Sequence, residues 1–269
     1  MRNMLTAGAV AVIAAVAWPL SGQTTQSPPA GTIVDLSGSW GYAIGNSFSP
    51  RGTAQDAGTP ADGVPYQPWA LALMTSRRTM AGPNATFETR VGAALEVTGA
   101  SDPVEQCEPH GIPRIHTWPT KFKFIQTPDV VYMLYETGPT WRQVWLNRQH
   151  PEDPIPDYWG HSTGRYEGTD TLIVDSVGFN DKTWLDDVGR PHTEQLHVIE
   201  RFRRLDEDRL EVTLTIDDPG AYTAPFTYGP RIVQARKTEF GAAVWICTIE
   251  QNKEFFKEIT APTLTPPGR

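Results

Sequence analysis

Cysteine is nearly absent: the 269-residue chain has two, Cys107 and Cys247. Two thiols exclude a disulfide-dense miniature scaffold, and no CxxC or paired Cys/His spacing offers a zinc site. Long hydrophobic runs are missing too, with one short exception at the start. After Met1-Arg2-Asn3-Met4 the chain is mostly apolar from Leu5 to Ala17, about 13 residues against the ~20 that a spanning helix needs. A basic start, a short apolar stretch and small residues at Ala15, Ala17, Ser21 and Gly22 predict a cleaved secretory leader over 1–22, hence a periplasmic or secreted protein without a membrane span. Positive charge is the minority sign, 23 basic against 31 acidic residues for a net −8, which argues against a nucleic-acid partner. GxGxxG, P-loop, GxSxG, HExxH and EF-hand patterns are all missing, so no nucleotide, flavin or metal cofactor is expected.

Turn formers and aromatics are what the chain has in quantity. Its 23 glycines and 24 prolines exceed the usual combined share of about 12% and disfavour a helix-rich fold. Nine Trp, ten Phe and eight Tyr supply mass for a core. Residues 23–34, mostly Gln, Ser, Thr, Pro and Gly, read as a flexible linker, leaving 35–269 as one domain. Within it, Ser47 to Thr120 is broken by nine prolines from Pro50 to Pro119 and reads as irregular wrapping chain. One helix fits there, from Trp69 to Met80, with Pro68 at its first position and Trp69, Leu73 and Met80 near one face.

Beyond Thr120 the pattern alternates in short runs parted by turn residues. After a first strand at Asp35–Trp40, strands are predicted at Lys121–Ile125, Val130–Tyr135, Arg142–Leu146, Gly164–Tyr166, Thr171–Val177, His197–Leu205, Leu210–Ile216, Arg231–Thr238 and Ala243–Glu250. Nine or ten strands with no intervening helices close as an antiparallel barrel or pack as a sandwich. In an oxidising compartment the two cysteines are expected to pair.

Acid–base chemistry is the most economical use of the polar residues. His161 and His192 are the leading imidazole pair, with Asp175 or Asp181 orienting one ring and Lys182 or Arg142 holding developing negative charge. Tyr135 is a second acid. Trp145, Trp159 and Trp184 would wall an apolar pocket, with Tyr166, Asn180, Glu194 and His197 as further substrate contacts. Most of these side chains lie in or beside the long Gly178–Gln195 loop, which a barrel would place at its mouth. Each also has an ordinary explanation as a cross-strand ion pair or a core aromatic. Metal binding by His192, Glu194 and a distant His161 stays open as an alternative.

The run Gly160-His161-Ser162-Thr163-Gly164-Arg165-Tyr166-Glu167-Gly168, continued by Asp170-Thr171-Leu172-Ile173-Val174-Asp175-Ser176-Val177-Gly178-Phe179-Asn180-Asp181, resembles a signature of exported bacterial proteins of unknown function. Their pattern reads roughly GHSxGxWEGDTLVVDTxGFND. Cys107-x-Pro109-x-Gly111-x-Pro113-Arg114, His150-Pro151-Glu152-Asp153, His192-Thr193-Glu194 and Glu200-Arg201-Phe202 extend the likeness over most of the chain. The resemblance implies a lipocalin-like (calycin-type) barrel and no particular activity. Tyr166 stands where the pattern has Trp, and Thr169 is one residue extra, absorbed as a bulge.

The functional expectation is therefore a barrel enzyme without cofactor, a lyase, dehydratase or isomerase acting on an apolar or aromatic small molecule. A non-catalytic carrier and a metal-dependent hydrolase are the alternatives.

Overall fold

Alternating apolar residues build the wall of this protein, and the computed structural model follows them closely. It describes residues 33–42, 63–79, 102–117, 120–137, 140–186, 189–236, 240–241 and 247–248. Nine strands close into a barrel in chain order. They are β1 (Gly38–Gly41), β2 (Lys121–Gln126), β3 (Val130–Tyr135), β4 (Thr140–Leu146), β5 (His161–Glu167), β6 (Thr171–Val177), β7 (His197–Arg204), β8 (Arg209–Asp217) and β9 (Phe226–Ala235). The mainly β, lipocalin-like barrel is thus the fold. The predicted leader, most of the linker and most of the Ala243–Glu250 strand lie outside the described residues.

One pairing departs from the expected all-antiparallel wall. Every neighbouring pair is antiparallel except β4 and β5, which run parallel with Val144 opposite Ser162 and Leu146 opposite Gly164. Parallel neighbours cannot share a tight hairpin, so residues 147–160 cross back over the barrel. This connection is held along its course. The Asn147 amide donates to the Gly164 carbonyl at 3.0 Å, and the Asp157 amide to Gly178 at 3.0 Å. Glycine is required where it lands: at Gly160 (φ +62°) a Cβ would come within 2.7 Å of the Val177 oxygen, and at Gly178 (φ +73°) within 2.7 Å of Pro154. Thr169 causes no bulge; β5 and β6 stay in register to Glu167 opposite Thr171, and the turn between them takes the extra residue.

Alternation sorts the side chains. Inward go Trp40, Phe122, Phe124, Met133, Val144, Val174, Val198, Phe202, Val212 and Leu214, all buried. Phe122, Phe124 and Phe202 meet edge-on or tilted at 5.3–6.4 Å between centroids, favourable geometry for aromatic rings. The helix α1 (Pro68–Thr79) begins at Pro68 as expected, but the other face is buried. Ala70 and Met74 are fully covered, whereas Trp69 and Leu73 are 45% and 36% exposed. Trp69 uses its ring edge instead, donating Nε1–H to the Gly220 carbonyl at 2.9 Å.

Cys107 and Cys247 form a disulfide across a separation of 140 residues, with Cα atoms 5.5 Å apart. It ties the proline-rich segment to the chain beyond β9. For a loop of this length the chain-entropy model gives roughly 5 kcal/mol. Replacing both cysteines by alanine is expected to lower the unfolding free energy by up to about that amount, read from urea denaturation of the oxidised protein and the double variant.

Candidate functional site

Two neighbours in the Gly160-His161-Ser162 run serve opposite sides of the wall, because successive strand residues face opposite ways. Ser162 faces the interior, where its hydroxyl meets that of Ser176 at 2.8 Å. His161 faces out. The residues predicted to act together fall, on the same rule, into three separate networks.

The interior network centres on Glu200 of β7, wholly buried. Arg142 of β4 donates Nη2–H to Glu200 Oε1 at 2.6 Å, and His116 Nε2 meets the same oxygen at 2.6 Å. His116 comes from the proline-rich segment, on a short 3-10 turn, Arg114–Thr117. Its Nδ1 lies 2.8 Å from the Tyr42 hydroxyl, and Arg231 sits over the Tyr42 ring at 4.0 Å. Burial holds the imidazole below its ordinary pKa against the pull of Glu200. A neutral ring then donates from Nε2 to the carboxylate and accepts from Tyr42 at Nδ1. Burial opposes ionisation of Glu200, yet Arg142 and His116 outweigh it and lower its pKa to about 2. Tyr135, also inside, has its pKa raised by burial and stacks on Trp159 at 5.4 Å. The Tyr166 hydroxyl accepts from Gln126 at 2.8 Å. Tyr42, His116, Tyr135, Arg142 and Glu200 are buried, and together they hold the inside of the wall; Trp159 and Tyr166 beside them are half-buried.

The long loop is fastened rather than open. Asp186 and Arg190 form a buried ion pair. Tyr228 donates to Asp186 at 2.8 Å, and Arg190 Nε–H to the Tyr66 oxygen at 2.7 Å. His192 is buried against the Thr183 hydroxyl at 2.8 Å and the Thr193 carbonyl at 3.3 Å, and burial lowers its pKa. Asn180 accepts from the Lys182 amide at 3.1 Å. The Arg77 guanidinium lies over Trp184 at 4.6 Å. Asp181, Lys182 and Glu194 are exposed. No hydrogen bond or ion pair joins His192 to His161.

The third network stands on the outer face of β5, β6 and β7, and it has the most accessible chemistry. Asp175 Oδ1 faces His197 Nε2 at 2.8 Å and His150 Nε2 at 3.0 Å. The other nitrogen of His150, Nδ1, faces His161 Nδ1 at 2.9 Å. The Thr163 hydroxyl stands 3.3 Å from His150 Nε2. The side chains of His150, Asp175 and His197 are 23%, 28% and 34% exposed, so solvent and solutes reach them. Register explains the assembly: Asp175 pairs with Thr163 on one side and Ile199 on the other, and Ser176 pairs with Val198, placing His197 one step along. His150 arrives on the crossover that the parallel pair demands. Its place was not legible from strand pattern, although the segment His150-Pro151-Glu152-Asp153 carries part of the resemblance.

Proton positions follow from the contacts. Both imidazole nitrogens facing an ionised Asp175 must carry hydrogen. In neutral His150 this leaves Nδ1 to accept from His161 Nδ1–H, and the lone pair of His161 then sits on Nε2. The hydrogen bond from His197, with help from His150, lowers the Asp175 pKa against the effect of burial. That same bond raises His197. Burial lowers His161. One carboxylate thus joins His197, which it raises, to His150, and through His150 to His161, which is lowered. Among the described residues no group of three or more His, Cys, Asp or Glu is arranged to hold a metal ion.

No protein-family model matches this chain, and neither does any curated protein.

Buried titratable groups contribute to the response to acid. A folded pKa of about 2 for Glu200, against its ordinary value near 4.5, supplies stability that is complete above the unfolded value and lost as pH falls towards the folded one. Buried His110, lowered to about 4 mainly by burial, acts in the same sense at higher pH. The urea midpoint is expected to fall steadily on acidification from neutral pH. Glu200→Gln, which leaves Arg142 buried without its carboxylate, should cost about 3–5 kcal/mol at neutral pH and lose less than the wild type below pH 4.5.

Proposed function

We propose that this protein is an exported acid–base enzyme, a lyase, dehydratase or isomerase, working without a resident cofactor at the outer-face cluster. The observation that carries the reading is the chain of contacts from His161 through His150 to Asp175 and on to His197 on the accessible outer face, with burial lowering His161 and the Asp175 bond raising His197. A general base must be unprotonated and a general acid protonated at the same pH, and opposite shifts on two imidazoles meet that demand.

The chain's own residues supply each step. His161 Nε2 takes a proton from carbon beside an electron-withdrawing group. Positive charge formed on His161 is stabilised through Nδ1–H to His150, whose Nε2–H is oriented by Asp175. The electron pair left on the substrate then forms a double bond as a leaving group departs with a proton from His197 Nδ1. In an isomerase the pair takes that proton at a second carbon. Either route balances protons and returns both rings to their starting states by exchange with water.

Protonated substrate panels of carbonyl and hydroxy compounds, followed by mass spectrometry and by exchange of carbon-bound hydrogen in D2O, provide the test. His161→Ala and His197→Ala, both folded by circular dichroism, are expected to lose roughly 10²–10⁴-fold in turnover. His192→Ala should change stability rather than rate. The rate should follow a bell in pH, rising as His161 loses its proton and falling as His197 does. Asp175→Asn should move the alkaline limb to lower pH, since the bond raising His197 is weakened. Unchanged turnover in both histidine variants overturns the reading. Recovery of every bound compound intact would move it to a carrier, and activity tracking stoichiometric metal to a metal-dependent hydrolase.

A further inference from the structure

Beside the histidine cluster, the wall has a feature the acid–base reading does not use. Trp145 lies on the outer face of β4, directly across the parallel pair from Thr163, whose hydroxyl approaches His150. The exposed Arg148 guanidinium lies over the Trp145 ring, 4.4 Å from its centroid. Among the described residues Arg148 has no carboxylate partner. The same holds for Arg165, exposed on the outer face of β5 two residues beyond Thr163. The neighbouring outward cation Arg201 is, by contrast, paired with Glu167.

An arginine stacked on tryptophan keeps its plane fixed while its N–H fork stays directed outward. That geometry suits a carboxylate, which takes two parallel hydrogen bonds from the fork. The indole beneath adds a flat apolar surface next to the point of binding. The cation and the ring thus adjoin the wall residues that support His150.

We infer that the substrate is a small carboxylate joined to a planar, aromatic or conjugated group. Its carboxylate is held by Arg148, assisted by Arg165, and its planar part lies along Trp145 towards His161. This rests on the acid–base reading for the identity of the site, and it adds the class of molecule. It also gives the carbon acid a reason to be activated, since conjugation spreads the electron pair left by proton removal.

Binding can be measured without knowing the natural compound, by tryptophan fluorescence and titration calorimetry with benzoate, benzamide and phenyl phosphate. Benzoate is expected to bind saturably and about tenfold or more tighter than benzamide, as fits one charge-assisted contact. Its affinity should weaken as salt is added. Arg148→Met should weaken benzoate by about tenfold or more and leave benzamide unchanged. Trp145→Leu should weaken both. His161→Ala should bind benzoate as well as the wild type does, which separates the two proposals. If benzoate binds no tighter than benzamide, or if Arg148→Met leaves it unchanged, the substrate class is wrong while the acid–base site stands. Tighter binding of phenyl phosphate than benzoate would overturn the carboxylate in favour of a phosphate ester. Retained turnover in His161→Ala with benzoate binding intact would remove the acid–base reading alone.

Discussion

The parallel pairing of β4 with β5 is the constraint on which the rest of the arrangement depends. In a wall that is otherwise antiparallel, this one pair obliges residues 147–160 to return over the outside before β5 can begin. The return carries His150 to Asp175, sets Arg148 over Trp145, and makes Gly160 and Gly178 necessary where backbone and Pro154 crowd them. A hairpin at this point would have left Asp175 with His197 alone. The outer cluster is thus a consequence of topology before it is one of chemistry.

Inside, the barrel tolerates charge because the charge is shared out. Glu200 is wholly buried, and a lone carboxylate there would be costly. Arg142 and His116 converge on one of its oxygens from different parts of the chain, and Tyr42 completes the imidazole's hydrogen bonds. The described stretch 102–117 of the proline-rich segment is therefore fixed twice, by His116 within the barrel and by the Cys107–Cys247 disulfide. With these groups buried, the solvent-accessible chemistry is left to the outer side of the same strands.

Much of the wall was legible in local pattern. Period-two alternation located the strands from Lys121 to Ile216 to within a few residues, and Pro68 marked the start of α1. The helix face was misjudged because Trp69 and Leu73 count as core by composition, whereas the surrounding chain covers Ala70 and Met74. The site was half legible. His161, Asp175, His197, Trp145 and Arg142 were identified by residue type, and alternation alone assigns the first four to one side of the wall and Arg142 to the other. His192 was grouped with His161 because both lie near the long loop, yet it is bound to Thr183 and Thr193. His116 and His150 escaped because each sits in irregular chain, where no periodicity says which way a side chain turns.

By itself the sequence determined the class of fold, the sides of the wall on which each strand residue stands, and the supply of imidazoles and carboxylates. Those are short-range properties: the strand period is two, and charge resides in residue type. Only the tertiary structure decided that β4 and β5 run parallel, that Asp175 is shared by His150 and His197, and that Arg142 neutralises Glu200. These contacts join residues from 18 to 58 positions apart. They are fixed by barrel closure and strand register, which depend on every strand at once and are written in no single segment.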